Sequence, residues 1–380
     1  MKHALKIVAV NILVFAFLVV ILEATGQAVA VLRPSYDVLF LQPDTLLGWK
    51  QVPNLQWTWA GHEWYAADFS VRVRTNALGF RDSAREFAKP AGIQRVALLG
   101  DSFIEAVQVP FERTAGQVLQ QQLNGTDEPP RWEVLNFGIS NYGVGQYLLA
   151  WREYARKFNP DYVGVFVAKL HMRRTLQKYE SGAFPGTEQR ALWIRPTFRL
   201  QHDALVLEPA ADIDAFVRMQ NGLVSTEFDG LRTRRKKRLI TYRYAKLLYD
   251  DLRRLVHARP PETPARPFQD DDPALLAVNL KIIETFGREV AAAGGRLAVV
   301  DATRYFSDGD GDVAAALKNL CAANRFGYVP VFEDLLDARK RGVKTDWAHD
   351  GHFNEAGNTI LANALYRWVA EESGQRQAVR

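Results

Sequence analysis

The chain has 380 residues, 48% of them hydrophobic and 24% charged, and this ordinary globular mixture excludes global disorder and collagen-like or low-complexity scaffolds. The 48 Lys and Arg against 43 Asp and Glu leave a net charge of +5, too small an excess over this length to indicate nucleic-acid binding. The single cysteine, Cys321, excludes an internal disulfide and a zinc cluster built from cysteines. The length predicts about two domains, or one enlarged domain with a substantial core.

The first 32 residues differ in character from the rest of the chain. A basic start with Lys2 and Lys6 precedes an apolar run over residues 7–22 that only Asn11 interrupts. About 20 such residues can cross a bilayer as one helix, and the two lysines favour a cytoplasmic amino end. We therefore predict a retained membrane anchor over residues 1–32, with the rest of the chain on the other side of the membrane.

Two other interpretations of this segment stay open. Ala28 and Ala30 flank Val29 in a small-x-small pattern, so the segment also fits a cleaved signal peptide. A buried core helix is the third interpretation, and the basic amino end argues against it. Both a retained anchor and a cleaved signal peptide would export the body of the protein. The lack of paired cysteines then favours a bacterial periplasm over a disulfide-rich secretory compartment.

A β-rich lead-in is predicted over residues 33–92, because residues 69–75 alternate apolar and polar side chains as a strand does. The body, residues 93–380, then alternates short apolar strands with amphipathic helices. Strands are predicted over residues 95–99, 132–136, 161–167 and 297–300, and helices over residues 112–123, 147–158, 276–290, 312–324 and from Asn354 onward. This alternation predicts an α/β fold with a parallel sheet covered on both faces.

An insertion is predicted over residues 175–272. Within it, residues 197–208 are typical of a hairpin that turns at His202 and Asp203, and a proline-rich stretch further on marks a stiff linker. Six of the seven residues 232–238 are basic. They fit a solvated surface segment, or attraction to anionic lipid headgroups or an anionic glycan, where each cation near a membrane adds about 1 kcal/mol. Nucleic acid is not an expected partner of an exported body.

Two distant pieces of the chain carry signals of catalysis. Gly100, Asp101 and Ser102 follow the first core strand, at the carboxyl end where open α/β sheets bind their ligands. A serine in such a turn can attack a carbonyl carbon when a base takes its proton. The base candidates are His349 and His352 near the other end of the chain. A carboxylate that orients a histidine, which in turn deprotonates a serine, is the division of labour in serine hydrolysis.

Each piece also has a purely structural interpretation. Ser102 could be a helix cap or a turn residue, and His352 could be a structural histidine. A Gly-Asp-Ser triplet alone arises by chance in roughly one such chain in ten. Its position directly after a strand, together with an Asp-Gly-His motif just before the terminal helix, favours catalysis.

These residues resemble the motifs of the SGNH/GDSL hydrolase family. The similar stretches span most of the body and are residues 74–82, 96–105, 136–143 and 350–354. Residues 195–200, Arg-Pro-Thr-Phe-Arg-Leu, resemble a segment that the membrane-anchored bacterial members carry in a comparable insertion. The resemblance implies a flavodoxin-like three-layer sandwich with a parallel sheet, behind an N-terminal transmembrane helix. It implies neither a metal nor an organic cofactor.

The resemblance also implies roles for individual residues. Ser102 would be the nucleophile, His352 the base, and Asp350 the carboxylate that orients the base. Gly138 matches the glycine whose backbone N–H joins that of Ser102 in the oxyanion hole, where the negative charge of the tetrahedral intermediate is stabilised.

The sequence departs from the family pattern after the third strand. Members usually place Gly-Asn-Asp there, and the asparagine is a further oxyanion donor, whereas residues 168–171 here are Ala-Lys-Leu-His. Loss of one such donor typically costs about 10²–10³ in rate. Lys169, His171 and Asn141 are the candidate replacements.

A second departure concerns the base and its carboxylate. Asp346 and His349 have the commoner Asp-x-x-His spacing, whereas Asp350 and His352 lie only two residues apart. The Phe-Asn that follows His352, as in the anchored members, favours the second pair.

The leading hypothesis is an extracytoplasmic serine esterase or O-acyltransferase, anchored in a bacterial inner membrane with its amino end in the cytoplasm. It would act on O-acyl esters, preferably acetyl, of a cell-envelope glycan or lipid through an acyl-Ser102 intermediate, a substrate class that comes from the resemblance alone. The alternative is a non-catalytic SGNH-like module that binds glycan or scaffolds an envelope assembly, motivated by the missing asparagine. A lipase at the membrane surface is the third hypothesis.

Overall fold

The computed structural model describes residues 2–32, 36–38, 41–60, 68–125, 129–183, 190–210, 232–234, 249, 273–305, 311–348 and 350–374. The strands are β1 (Tyr36–Val38), β2 (Leu41–Asp44), β3 (Gly48–Gln51), β4 (Gln56–Ala60), β5 (Ser70–Arg74), β6 (Gln94–Gly100), β7 (Trp132–Gly138), β8 (Tyr162–Val167), β9 (Tyr179–Ala183), β10 (Arg190–Ile194), β11 (Thr197–Gln201), β12 (Ala204–Glu208), β13 (Arg232–Arg234), β14 (Arg296–Asp301) and β15 (Gly327–Val329). The helices are α1 (Lys2–Leu32), α2 (Ser102–Glu105), α3 (Ala115–Asn124), α4 (Val144–Glu153), α5 (Lys169–Arg174), α6 (Pro273–Ala292), α7 (Gly311–Asn324), α8 (Val331–Lys340) and α9 (Glu355–Glu372).

The chain divides into two compact units. The first comprises Met1–Leu39, Ala183–Gln189 and Gln220–Thr263, and the second comprises Phe40–Gly182, Arg190–Met219 and Pro264–Arg380. The predicted limits after residues 32 and 92, and the limits of the insertion over residues 175–272, stay predictions.

The first unit contains α1 and a short antiparallel pair of β1 with β13. Within α1, Lys6–Ala28 is long and apolar enough to cross a membrane, a property that a signal sequence shares. Its large apolar side chains, such as Phe15 and Phe17, are exposed to the surroundings of the protein. The helix therefore carries the apolar surface that the sequence predicted for a membrane segment.

A five-stranded parallel sheet forms the centre of the second unit, in the order β15-β14-β8-β6-β7. All six residues of β8 are buried, as expected for a parallel strand covered on both faces. The strand order reverses at β6, which lies between β7 and β8, and ligands bind at such switch points in open α/β sheets. This is the flavodoxin-like order, so the predicted α/β fold class is confirmed.

Helices cover both faces of this sheet. On one face Leu98 of β6 belongs to a buried cluster with Leu119 of α3 and Leu365 of α9. On the other face α4 packs against α6, where the rings of Trp151 and Phe286 lie 5.8 Å apart between centroids. The sheet and its two helical layers make the three-layer sandwich that the resemblance implied.

The lead-in contributes two antiparallel hairpins, β2–β3 and β4–β5. Val71 and Val73 of β5 are buried while their neighbours are exposed, which confirms the predicted alternation. Trp49 of β3 is fully buried and its indole Nε1 donates a hydrogen bond to the carbonyl oxygen of Ser140, 3.1 Å away. Tyr142 Oη donates in turn to the carbonyl of Trp49 at 2.5 Å. The lead-in thereby packs against the loop that follows β7.

Several predicted elements differ in their limits. The helix predicted over residues 112–123 begins only after Thr114, whose hydroxyl accepts a hydrogen bond from the backbone of Gln117 as an N-cap. The helix predicted over residues 147–158 ends at Glu153 and continues as a short 3-10 turn. The elements that were not predicted are β1, β2, β3, β9, β10, β13, β15, α2, α5 and α8.

The predicted hairpin is present as β11 and β12, and it turns at His202 and Asp203 as predicted. Both residues have positive φ angles of 50° and 62°, which tight hairpin turns require. Of the predicted basic run, residues 232–234 form β13 and residues 235–238 lie outside the described residues. The proline-rich linker also lies outside them.

Candidate active site

Ser102 lies at the carboxyl edge of the central sheet, as the first residue of α2. Asp101 caps this short helix, because its Oδ1 accepts a hydrogen bond from the backbone N–H of Phe103 at 3.1 Å. Gly100 makes the turn sterically allowed, since a Cβ there would lie 2.3 Å from Ile104 Cγ1. The Gly-Asp-Ser sequence thus forms a tight turn from strand to helix that presents the serine hydroxyl.

The structure brings together three residues from opposite ends of the chain. Ser102 Oγ lies 2.8 Å from His352 Nε2, and His352 Nδ1 is hydrogen-bonded to Asp350 Oδ1. The backbone N–H of His352 donates to the same carboxylate oxygen at 3.3 Å. Asp350 therefore favours the tautomer in which Nδ1 carries the proton and Nε2 is free to accept one from Ser102.

The surroundings of His352 tune it as a base. Burial lowers the pKa of His352, but the hydrogen bond and the negative charge of Asp350 outweigh this effect, so that the pKa lies above its ordinary value of 6.5. The charges of Asp101 and Glu105 raise this pKa further. The ring of Phe103 packs against the imidazole, with centroids 5.0 Å apart.

A compact loop before α9 holds the histidine. The backbone N–H of Trp347 donates to the carbonyl of His352 at 2.9 Å, and that of Gly351 donates to the carbonyl of Trp347 at 3.1 Å. Gly351 has a φ of 80°, a left-handed conformation that glycine adopts without strain. This turn allows Asp350, only two residues away in sequence, to reach the ring of His352.

Asp346, the carboxylate of the other candidate pair, has different partners. Asp346 pairs with Arg339, and in the described part of the chain it forms no hydrogen bond or ion pair with the ring of His352. Burial raises the pKa of Asp346 to about 7, and the charge of His352 only partly opposes this. His349 lies outside the described residues. Of the two pairs, Asp350 and His352 are the ones that the structure joins to Ser102.

Gly138, the predicted oxyanion donor, ends β7 opposite Gly100. Its backbone N–H donates to Asn136 Oδ1 at 2.8 Å, and Asn136 Nδ2 donates to the carbonyl of Ile104 at 2.8 Å. A Cβ at Gly138 would lie 2.3 Å from the backbone nitrogen of Glu105, so the glycine lets α2 lie against β7. Its N–H is engaged in this structure, and its role in an oxyanion hole stays a prediction.

The three candidate replacements for the missing asparagine occupy different environments. His171 is buried; its Nδ1 accepts from the backbone N–H of Ala168 at 3.0 Å, and its Nε2 lies 2.8 Å from Asp101 Oδ2. It therefore supports the nucleophile turn. Lys169 is the partly exposed first residue of α5. Asn141 has a left-handed backbone with a φ of 69° in the loop after β7.

Buried charges that were not predicted from the sequence surround the nucleophile. Arg174 Nη1 donates to Asp101 Oδ2 at 3.1 Å and to the carbonyl of Tyr142 at 3.1 Å. Burial would raise the pKa of Asp101, but His171 and Arg174 hold it well below its usual range. The only sequence signal for this cluster was the basic stretch that follows the third strand.

A second buried network lies at the other end of α2. The carboxylate of Glu105 accepts hydrogen bonds from Gln51 Nε2 and Ser140 Oγ. The guanidinium of Arg81 donates to the carbonyls of Glu105, at 3.2 Å, and Ala106. Burial raises the pKa of Glu105 to about 7. A charged residue within an otherwise apolar stretch, Phe-Ile-Glu-Ala-Val, is the signal that could have indicated it.

Among the residues that the structure describes, no group of three or more His, Cys, Asp or Glu side chains could hold a metal ion.

No protein-family model matches the sequence, and no curated protein matches it. Matching solved structures include an α/β-hydrolase enzyme from the metagenome of Lake Arreo, at 12% identity and a TM-score of 0.41 over 77% of this chain and 99% of that chain. A member of the lipolytic protein G-D-S-L family from Veillonella parvula matches at 13% identity and 0.37, over 75% and 100%. Axe2, an acetylxylan esterase from Geobacillus stearothermophilus, matches at 11% identity and 0.40, over 72% and 93%.

A hydrogen-bonded Ser–His–Asp chain at the carboxyl edge of a parallel α/β sheet is the arrangement of a serine hydrolase.

Proposed function

We propose that the protein is a serine ester hydrolase of the SGNH/GDSL type, in which Ser102 is the nucleophile and His352 the base. The observation that carries this proposal is the chain of hydrogen bonds from Ser102 Oγ through the imidazole of His352 to Asp350. In this chain Ser102 can donate its proton to His352, and His352 donates to Asp350, as proton transfer from the serine requires.

The geometry supports a two-step reaction. As Ser102 Oγ attacks the ester carbonyl, its proton passes to His352 Nε2, and Asp350 stabilises the imidazolium that forms. When the tetrahedral intermediate collapses, the imidazolium gives this proton to the departing alcohol oxygen, which leaves an acyl-Ser102 ester. His352 then takes a proton from water or from a sugar hydroxyl, whose oxygen attacks the acyl group. As the bond between the acyl carbon and Ser102 Oγ breaks, the imidazolium returns this proton to Oγ and restores the free serine.

The developing oxyanion needs hydrogen-bond donors. The backbone N–H of Ser102 has no hydrogen-bond partner within the described ranges, so it can serve as one donor. We propose Gly138 as a second, which requires its N–H to leave Asn136 when substrate binds.

The substrate and location are proposed from the resemblance and from α1. We propose that α1 anchors the protein in a bacterial inner membrane with its amino end in the cytoplasm and the catalytic unit in the periplasm. The substrate would be an O-acyl, preferably acetyl, ester of an envelope glycan or lipid, and the acyl group would pass to water or to a sugar hydroxyl. The apolar stretch Lys6–Ala28 and the basic residues before it support this orientation.

Turnover of p-nitrophenyl acetate by the full chain in detergent tests the proposal. Ser102→Ala and His352→Ala should each lower kcat/KM by at least about 10³-fold, because the nucleophile and base act as a unit. His202→Asn, on an exposed hairpin turn, is the matched control and should behave as wild type. Activity that survives His352→Ala but disappears on His349→Ala would move the base to the earlier motif.

A second candidate function is a non-catalytic module that binds an envelope glycan. The missing asparagine and the engaged N–H of Gly138 are the observations that favour it. A fluorophosphonate probe separates the two candidates, because it forms an adduct only with an activated serine. Folded protein that binds acetylated glycan but forms no adduct on Ser102 would support the binding module.

A further inference from the structure

Arg174 lies beside the nucleophile turn, as the last residue of α5. This helix follows β8, the neighbour of β6 in the sheet. One nitrogen of its guanidinium, Nη1, donates both to Asp101 Oδ2 and to the carbonyl of Tyr142, each at 3.1 Å. Since Asp101 directly precedes Ser102, the guanidinium is fixed beside the nucleophile turn.

The other edge of this guanidinium is formed by Nε and Nη2. Within the part of the chain that the structure describes, Nε and Nη2 of Arg174 make no hydrogen bond, and the side chain is 15% exposed. These two nitrogens lie on one side of the planar group, and their N–H bonds form the fork that matches the two oxygens of a carboxylate.

The side chain is also held in place before any ligand binds. A Cβ on Gly143 would lie 2.7 Å from Arg174 Cβ, so this glycine allows the loop before α4 to close against the arginine. Because Nη1 is already bonded and the stem is packed, little side-chain entropy remains to be lost on binding. A preorganised arginine of this kind is suited to recognition.

The charge around Arg174 favours an anion. The six residues of α5 are Lys-Leu-His-Met-Arg-Arg, with three cationic side chains and no carboxylate. Asp101 pairs with Nη1, and no other carboxylate among the described residues forms an ion pair with this guanidinium. Asp350, the next carboxylate of the site, is engaged with His352.

We propose that the Nε–Nη2 edge of Arg174 binds a carboxylate of the substrate, so that the ester presented to Ser102 belongs to an acidic glycan. This inference rests on the proposed esterase function and specifies its substrate class. The fork contributes bidentate, charge-assisted hydrogen bonds that a neutral sugar cannot replace. A phosphate offers similar oxygens, and the experiment separates the two.

Three acetyl esters test the proposal on the full chain. They are methyl 2-O-acetyl-glucuronoside, the corresponding glucoside, and that glucoside carrying a 6-phosphate, which differ only at carbon 6. The wild type should prefer the carboxylate over the neutral ester by about 10-fold or more in kcat/KM, mainly through KM, as one charge-assisted pair allows. A phosphate ester that is turned over better than the carboxylate would overturn the assignment.

The ratio of the carboxylate to the neutral ester is the readout for the variants, because it cancels any general loss of activity. Arg174→Gln should bring this ratio close to one, and Arg174→Lys, which keeps the charge but loses the fork, should lower it less. Arg173→Gln, one residue away on the same helix, removes the same charge and should retain the preference. A wild-type ratio near one, or a ratio that Arg174→Gln leaves unchanged, overturns the proposal.

A binding measurement keeps this test independent of turnover. Calorimetry on Ser102→Ala should detect binding of a glucuronate tetramer and much weaker binding of a glucose tetramer, and Ser102→Ala with Arg174→Gln should lose the difference. If the proposed esterase function is wrong, the glucuronate tetramer will bind but no ester will be turned over. Equal binding of both tetramers would overturn the carboxylate site alone.

Discussion

The two halves of the candidate site are held in place by different means. The nucleophile turn, residues 100–105, rests on buried charges: Asp101 is 1% exposed and Glu105 is 0% exposed, and both bond to residues distant in sequence. In the base loop, residues 345–354, the side chain of His352 is 27% exposed. Backbone hydrogen bonds within that loop supply much of its support.

This difference predicts how mutations will act. A buried carboxylate that loses its partner retains the full cost of desolvation, so changes around the nucleophile turn should alter both stability and activity. The base loop is supported mainly by hydrogen bonds within itself, and it is partly exposed to solvent. Changes there should alter activity first and the free energy of unfolding by less.

The largest effect is expected for the carboxylate of the base loop. Asp350→Asn should lower kcat by roughly 10³–10⁴-fold, because an amide no longer stabilises the imidazolium or fixes its tautomer. Asp346→Asn is the matched control; since Asp346 pairs with Arg339, kcat should change little. Steady-state kinetics on p-nitrophenyl acetate measure both. A larger loss of kcat in Asp346→Asn than in Asp350→Asn would assign the orienting role to Asp346 and would argue for His349 as the base.

The pH dependence of the same pair gives an independent check. His352 must be neutral to act as a base, and its pKa is raised above 6.5, so kcat/KM should fall as the pH drops through a value above 6.5. Asp350→Asn removes the charge that raises this pKa. The acidic limb should therefore move to lower pH even as the maximum falls. An unmoved limb would show that another group controls it.

The next effect concerns the contact between the nucleophile turn and β7. Gly138→Ala should destabilise the fold by about 3 kcal/mol or more and impair activity, because the new Cβ would overlap the backbone of Glu105. Gly116→Ala, in α3, is the control, because its new Cβ would lie at an ordinary contact distance of 3.6 Å from Val134 Cγ1. It should be neutral or stabilise by up to about 1 kcal/mol. Urea unfolding measures both, and equal stabilities would refute the close packing of α2.

Glu105 predicts a pH-dependent stability. Its pKa is raised from 4.5 to about 7 on folding, so its contribution to stability is fully present below pH 4.5 and is lost as the pH rises through 7. Glu105→Gln removes this dependence and keeps one oxygen acceptor. From pH 5 to pH 8 the wild type should lose about 2.5 kcal/mol of stability relative to the variant. Denaturant titrations at both pH values measure this, and parallel curves would contradict the shifted pKa.

The sequence predicted the fold through local patterns that the structure retains. Apolar runs marked β6 and β8, because a parallel strand covered on both faces has no polar side. Ser102 and His352 were identifiable because each sits next to a turn or a cap that has its own sequence signature. The part of the site that depends on local sequence was thus accessible from the sequence alone.

The remaining support could not be predicted, because it depends on contacts between distant residues. Nothing local distinguishes Arg81, which holds the carboxyl end of α2, from a surface arginine. The same holds for His171 and Arg174, which meet Asp101 across 70 or more residues. The engagement of Gly138 by Asn136 is a further example, since the motif named the glycine but not the orientation of its N–H.

The smallest effect is expected for Asn354, whose side chain both caps α9 and bonds to the base loop. Asn354 Oδ1 caps α9 by accepting from the backbone of Ala356 and Gly357, while its Nδ2 donates to the carbonyls of Lys344 and Asp346. Asn354→Ala loses both functions and should cost about 1–2 kcal/mol of stability. Asn354→Asp keeps the cap but turns a carboxylate toward the two carbonyls.

Asn354→Asp should therefore keep most of the stability and lose activity, because the loop that positions His352 would shift. Thr359→Ala, an exposed change in the same helix, is the control for both measurements. Thermal unfolding and kcat, measured on the same samples, distinguish the two functions of the side chain. Wild-type kcat in Asn354→Asp would mean that the cap alone places the base, and that the two halves of the site are less different in their support than the structure indicates.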